Sequence, residues 1–268
     1  MKFKFRFVTK IPTAAPTLED IMLKGDADET WVAVFEKLGV LLADIRKSFD
    51  AADASKVFES ESIGKQTRLA EWIDKIDDSW DNVTKTINPE SRLKNLDFEI
   101  NHPRRQAADV LGRANCVCLD NFITKNIQSQ TDQQYVQVNL NEICLAYGPL
   151  GIEVAILLAD ILIKYHQQLT LEHNIRYVTS DCAKNFGRSF NTKFGLNASD
   201  RRDFWTKVSL LTGWEIIRRV NEDEALCKWS REAQTDLDDI FEAGLRLISN
   251  RLIESIDFMI PVALAELY

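Results

Sequence analysis

The sequence predicts a mainly α-helical protein: a multi-helix domain of two lobes, with a short N-terminal β-strand and a minor β element near 134–140. Three observations carry this. Apolar residues recur at three- and four-residue spacing through most of the chain, which gives helices one buried stripe each. Ten glycines and six prolines over 268 residues are too few for a turn-rich β-sandwich. Strict alternation of apolar and polar residues, the mark of a half-buried strand, is confined to about 3–9 and 134–140.

The opening strand alternates Phe3, Phe5 and Phe7 with Lys2, Lys4 and Arg6. A Pro-containing connector follows, and Thr17 with Asp20 forms a capping-box start. Trp31, Phe35, Leu38, Leu42, Ile45 and Phe49 predict one long helix; Leu69, Trp72, Ile76, Trp80, Val83 and Ile87 predict the next, ended by Asn88-Pro89. His102-Pro103 begins a helix whose apolar positions run from Ala107 through Val110, Leu111, Ala114 and Val117 to Phe122. Val136, Val138 and Leu140 then alternate with Gln137 and Asn139, a strand that could pair with the opening one. A short helix precedes Gly148-Pro149-Leu150-Gly151, and an apolar helix spans 152–169. Ile175, Val178, Cys182, Phe186 and Phe190 mark another. Ser199 or Asp200 caps a helix running to about 220, and a last long helix with Leu237, Ile240, Phe241, Ile248, Leu252 and Ile256 stops before Pro261. The organisation expected is an arm at 1–16, an acidic helical lobe at 17–100, a main helical lobe at 101–260 with a basic segment at 161–220, and a tail at 261–268.

The stretch "LGIEVAILLADILIKYH" is interrupted by Glu153 and Asp160 and falls short of the roughly 20 apolar residues of a membrane span, so it reads as a core helix. No signal peptide and no membrane partner are expected. Five cysteines without a regular framework read as free thiols in a reducing, cytoplasmic setting. The three histidines have no metal-ligand spacing: His166 and His173 are two turns apart, and Glu99-x-x-His102 has no second copy. No metal and no cofactor are expected. No nucleophile elbow, phosphate loop or dinucleotide fingerprint occurs, so nothing singles out a catalytic residue.

Two acidic clusters stand out, Asp77-Asp78-Ser79-Trp80-Asp81 and Asp238-Asp239-Ile240-Phe241-Glu242. They resemble the magnesium–diphosphate clamps of trans-prenyltransferases and class I terpene synthases, where carboxylates hold Mg²⁺ through hard oxygens. That resemblance covers ten residues and implies a prenyl-diphosphate-type enzyme. At about 100° per residue, however, the apolar stripes turn Asp78, Asp81, Asp238, Asp239 and Glu242 outward, where carboxylates form solvated acidic faces.

Charge is segregated by sign. The formal net charge is −8, yet residues 1–17 carry four cations and no acid, and residues 161–220 carry ten basic against five acidic residues. Within the basic segment, Lys184, Arg188, Lys193, Arg201, Arg202 and Lys207 are interleaved with Phe186, Phe190, Phe194, Phe204 and Trp205; Arg104 and Arg105 lie near the start of the same lobe. Cations that track phosphates beside rings that stack on bases suit single-stranded nucleic acid. Equally, Phe186 and Phe190 suit the core, with the cations paired to acids. The first reading gives a structural RNA-packaging protein, the coat protein or nucleoprotein of a helical RNA virus, located in the cytoplasm or a virion. The alternative is a helical adaptor or immunity-type protein that binds other proteins.

In the packaging reading the N-terminal segment is an oligomerisation arm: Phe3, Phe5 and Phe7 bury on a neighbouring copy, because a lone strand needs a partner edge. Deleting residues 1–10 should then shift the solution mass, measured by light scattering, to that of a monomer with the helical circular dichroism unchanged. Loss of folding without a change of association would make the strand an ordinary part of the domain.

Overall fold

The computed structural model describes residues 16–24, 29–51, 66–75, 97–112, 116–130, 135–138, 144–168, 173–233, 237–250 and 253–264. The Phe3/Phe5/Phe7 strand and the Asp77–Asp81 cluster lie outside them. The fold is mainly α, with ten helices among the described residues and two small antiparallel β pairs. No helix among these residues is long and apolar enough to cross a membrane.

α1 (Leu18–Lys24) starts as its sequence dictates: Asp20 N–H donates to Thr17 Oγ1 at 3.0 Å, and Thr17 N–H donates back to Asp20 Oδ2 at 3.2 Å. α2 (Glu29–Ala51) buries Trp31, Phe35, Leu38 and Leu42. α3 (Arg68–Lys75) buries Leu69, Trp72 and Ile73. α4 (Asp97–Gly112) starts earlier than its sequence suggests and carries Pro103 inside.

The helix expected to continue to Phe122 instead ends at Gly112, and β1 (Cys116–Asp120) follows. The short helix expected before Gly148 is β4 (Cys144–Gly148), antiparallel to β1 with Cys118 opposite Ala146. Between them a 3₁₀ turn at Thr124–Asn126 leads into β2 (Ile127–Gln130), which pairs with β3 (Tyr135–Val138). The alternation at 134–140 thus marks a strand whose partner β2 lay unread. Strand is therefore not limited to 3–9 and 134–140. Short apolar runs such as "CVCLD" satisfy either period, and only a partner 28 residues away, Ala146 opposite Cys118, selects the strand.

α5 (Ile152–Gln167) is the centre of the molecule. Every residue but Tyr165 is buried, because α1, α6 (His173–Phe194), α7 (Ala198–Glu222), α9 (Asp238–Ser249) and β1 all pack against it. α8 (Glu224–Ala233) follows α7 at once. The expected single C-terminal helix is broken: α9 stops at Asn250, and α10 (Ile256–Leu264) begins anew with Pro261 within it. Residues from 18 to 263, drawn from both expected lobes, share one hydrophobic core.

Two helix crossings are backbone-close. A Cβ on Gly39 of α2 would lie 2.3 Å from the Phe186 carbonyl of α6. A Cβ on Gly213 of α7 would lie 2.6 Å from the Gly244 carbonyl of α9, and one on Gly244 would lie 2.9 Å from the Gly213 carbonyl. Backbone atoms cannot swing aside as a side-chain tip can, so Gly39→Ala should destabilise the protein by about 1–3 kcal/mol through overpacking. Urea unfolding checks this, with the midpoint falling and the slope unchanged.

Candidate functional site

Two places on the surface gather charge. The first is the end of the molecule where α6 turns into α7. Asn197 caps α7, its side-chain oxygen accepting from Asp200 N–H at 3.0 Å, three residues after α6 ends at Phe194. Phe190 stacks on Phe194 and Phe204 at centroid distances of 5.5 and 5.6 Å. Phe186, Phe190, Phe204 and Trp205 are buried, so these rings are core and not a platform for bases.

Arg188 and Lys193 lie on α6 and Arg201, Arg202 and Lys207 on α7, with Lys184 one turn before Arg188. Lys47 of α2 joins them, its Nζ donating to the Lys193 carbonyl at 2.7 Å. Acids meet several of these cations. Arg188 Nη2 lies 2.5 Å from Asp257, Arg202 2.8 Å from Glu254, Lys193 3.3 Å from Asp44, and Lys207 2.6 Å from Asp203. Arg201 and Lys184 have no carboxylate partner among the described residues. Thr206 Oγ1 donates to the Ile253 carbonyl at 3.0 Å, so residues 253–257 form a strap across the two helices. Arg104 and Arg105 are not brought to this cluster. The neighbouring Pro103 carbonyl accepts from Trp214 Nε1 at 3.4 Å, and Trp214 lies about 20 Å along α7 from Arg201.

The second place is a polar pocket of about 290 Å³ at the other end of α7. Its walls come from the start of α3, the end of β1, the 3₁₀ turn, α5, the last turns of α7 and the start of α8. Below it lies a buried charge network. Arg219 Nη1 donates to Asp160 Oδ1 at 2.5 Å, and Thr124 donates to Asp160 Oδ2 through N–H at 2.8 Å and through its hydroxyl. Burial opposes Asp160's charge, but Arg219, Lys164 and the Thr124 hydrogen bonds outweigh it and bring its carboxyl down to about 2. Arg218 forks onto Glu215 with bonds of 2.8 and 2.7 Å and reaches Glu222 at 3.1 Å. Arg219 also meets Asp223 at 3.3 Å, and Asp223 in turn caps α8 by accepting from Ala225 N–H at 3.0 Å.

Asp120 differs from these neighbours. It is 6% exposed, yet it accepts only Arg68 N–H at a long 3.3 Å, with Arg68 Nε 3.8 Å away. Burial first, and Glu215 second, push its carboxyl up, against the lowering effects of Arg68 and Arg218. Sequence reasoning missed this pocket, which joins residues from 68 to 225. The traces it left are the Glu215, Arg218, Arg219, Glu222 and Asp223 spacing on one helix and a lone acid closing the "CVCLD" run.

Asp238 and Asp239 occupy the first turn of α9, and Glu242 pairs with Arg246 at 3.0 Å. Among the described residues no group of three metal-ligating side chains exists. Cys116, Cys118, Cys182 and Cys227 are free thiols, and burial pushes the thiols of Cys118 and Cys182 up, away from nucleophilic use. The sequence matches no protein-family model and no curated protein.

Asp120 in the pocket wall and Asp160 in the network beneath it should respond oppositely to pH. Asp160's carboxyl falls from 3.8 to about 2 on folding, so its stabilisation is complete above about pH 4 and is lost as pH falls through about 2. Asp120's is raised, so its ionised form costs stability as pH rises above the unfolded value of 3.8. Asp160→Asn should therefore cost about 3 kcal/mol at pH 7 and less near pH 2. Asp120→Asn should leave the melting temperature at pH 7 unchanged or raised. Thermal unfolding across pH checks both signs.

Proposed function

We propose that the α6–α7 end contacts a polyanion, single-stranded RNA, and that the protein serves as a structural RNA-packaging subunit of the coat-protein or nucleoprotein kind. The observation that carries this reading is that six of the eight candidate cations, Lys184, Arg188, Lys193, Arg201, Arg202 and Lys207, lie on the two consecutive helices α6 and α7, with Arg188 and Arg202 both paired to acids of the one 253–257 segment. Their ion pairs are solvent-exposed: Arg188 and Asp257 are 55% and 47% exposed, Arg202 and Glu254 61% and 52%. Such pairs are each worth about 0–1 kcal/mol, so phosphates can replace the carboxylates at small cost. With the rings of this segment buried, affinity would come from charge alone, without base stacking.

A second reading, a helical protein-binding adaptor, has one observation in its favour. Phe258 is 54% exposed and directly follows Asp257, the partner of Arg188, in α10, so a large apolar side chain stands open to solvent there.

The test is fluorescence anisotropy with single-stranded RNA of several sequences. All should bind alike, and affinity should fall steeply with salt because each phosphate contact releases counterions. Arg201→Glu with Arg202→Glu should weaken every sequence equally and flatten the salt slope, whereas Phe258→Ser should leave RNA affinity unchanged. Absence of binding at about 50 mM salt, on assembled as well as monomeric protein, would overturn the packaging reading.

A further inference from the structure

We propose that the pocket between β1, the 3₁₀ turn and the α7–α8 junction binds a free α-amino acid as its zwitterion, the ammonium at Asp120 and the carboxylate at Arg68 and Lys125. This is independent of the RNA reading, which rests on the opposite end of α7.

Volume comes first. A space of about 290 Å³ holds many waters, hence a molecule and not a single structural water. Next, the polar wall divides into satisfied and unsatisfied groups. Glu215 has both oxygens on Arg218, and Arg219 is spent on Asp160 and Asp223. Three of the underused lining groups face one another across the β1–3₁₀ side: Asp120, Arg68 and Lys125. Asp120 is buried with one long hydrogen bond, and no donor reaches its Oδ1 among the described residues. Arg68 is 55% exposed and lies 3.8 Å from Asp120, beyond hydrogen-bond distance. Lys125, exposed on the 3₁₀ turn, has no carboxylate partner among the described residues. Carboxylates in such settings are almost always hydrogen-bonded, so Asp120 Oδ1, open to the cavity, takes its donor from whatever fills that cavity.

Charge then chooses the ligand class. The lining carries five carboxylates and four cations. The net formal charge of −1 disfavours a phosphate or a dicarboxylate, and a simple amine would leave Arg68 and Lys125 without an anion, whereas a zwitterion supplies one charge to each side. The 3.8 Å between Arg68 Nε and Asp120 Oδ2 sets opposite charges as neighbours, and an α-amino acid carries its two charges on one carbon. Ile123 and Ile156 offer apolar wall for an aliphatic side chain. Asp120→Asn, expected above to cost no stability at neutral pH, is consistent with a carboxylate retained for something other than folding.

Isothermal titration calorimetry on the full chain with L-leucine tests this. Saturable binding is expected with L-leucine, and not with isocaproate, which lacks the ammonium, or isoamylamine, which lacks the carboxylate. L-glutamate should bind more weakly than L-leucine. Lys125→Glu, an exposed change that leaves the fold intact, and Asp120→Asn, checked by circular dichroism, should each weaken L-leucine by about tenfold or more, the scale of a charged hydrogen bond. No saturable binding of either amino acid at about 10 mM would overturn the proposal, as would binding of inorganic phosphate in their place or affinity untouched by both variants.

Discussion

The arrangement depends on one buried acid. Asp160, 1% exposed, lies midway along the buried α5 and must be neutralised where it stands, since an unpaired charge there costs several kcal/mol. Its two oxygens take Arg219 from α7 and Thr124 from the turn after β1. That single residue thereby fixes the last turns of α7 against the β1–β2 connection, and the pocket is the space left above the junction. Two more charges on α5 act likewise. Glu153 holds Arg46 of α2 at 3.0 Å, and Lys164 pairs with Glu19 of α1. An otherwise apolar helix would pack in many rotations. Three charges, each tied to a different element, leave one.

The helices were legible because their stripes are local. Trp31 to Leu42 and Cys182 to Phe190 bury the faces their spacing indicates. The strands were not, because Cys116–Asp120 continues the helical spacing of Val110 and Leu111, and only the ladder to Cys144–Gly148 decides between periods. The break at Asn250 was hidden for the opposite reason: Ile248, Leu252 and Ile256 keep a helical period across a corner.

The same division governs the surface. That the 161–220 segment is basic could be read directly, and so could the outward direction of Lys184 and Arg188 from the Phe186/Phe190 stripe. Which acids would meet them could not, since Asp257 is 69 residues from Arg188 and arrives only when the strap crosses α6. The acidic C-terminal region thus tempers the basic segment it follows, so summed charge along the sequence overstates the field at the corner. The pocket was less visible still. Its unsatisfied carboxylate is defined by what fails to reach it, and a sequence records no distances.

The Gly213–Gly244 contact has a geometric consequence. Two helices whose backbones touch cannot slide without collision, so α7 is pinned at its middle, with the cationic corner on one side of the pin and the pocket on the other. At 1.5 Å of rise per residue, Arg202 and Arg218 are separated by about 24 Å of unbroken helix. The two ends of the molecule therefore share a ruler: one pivot and one rod determine how far apart anything held at the corner and anything held in the pocket must stand.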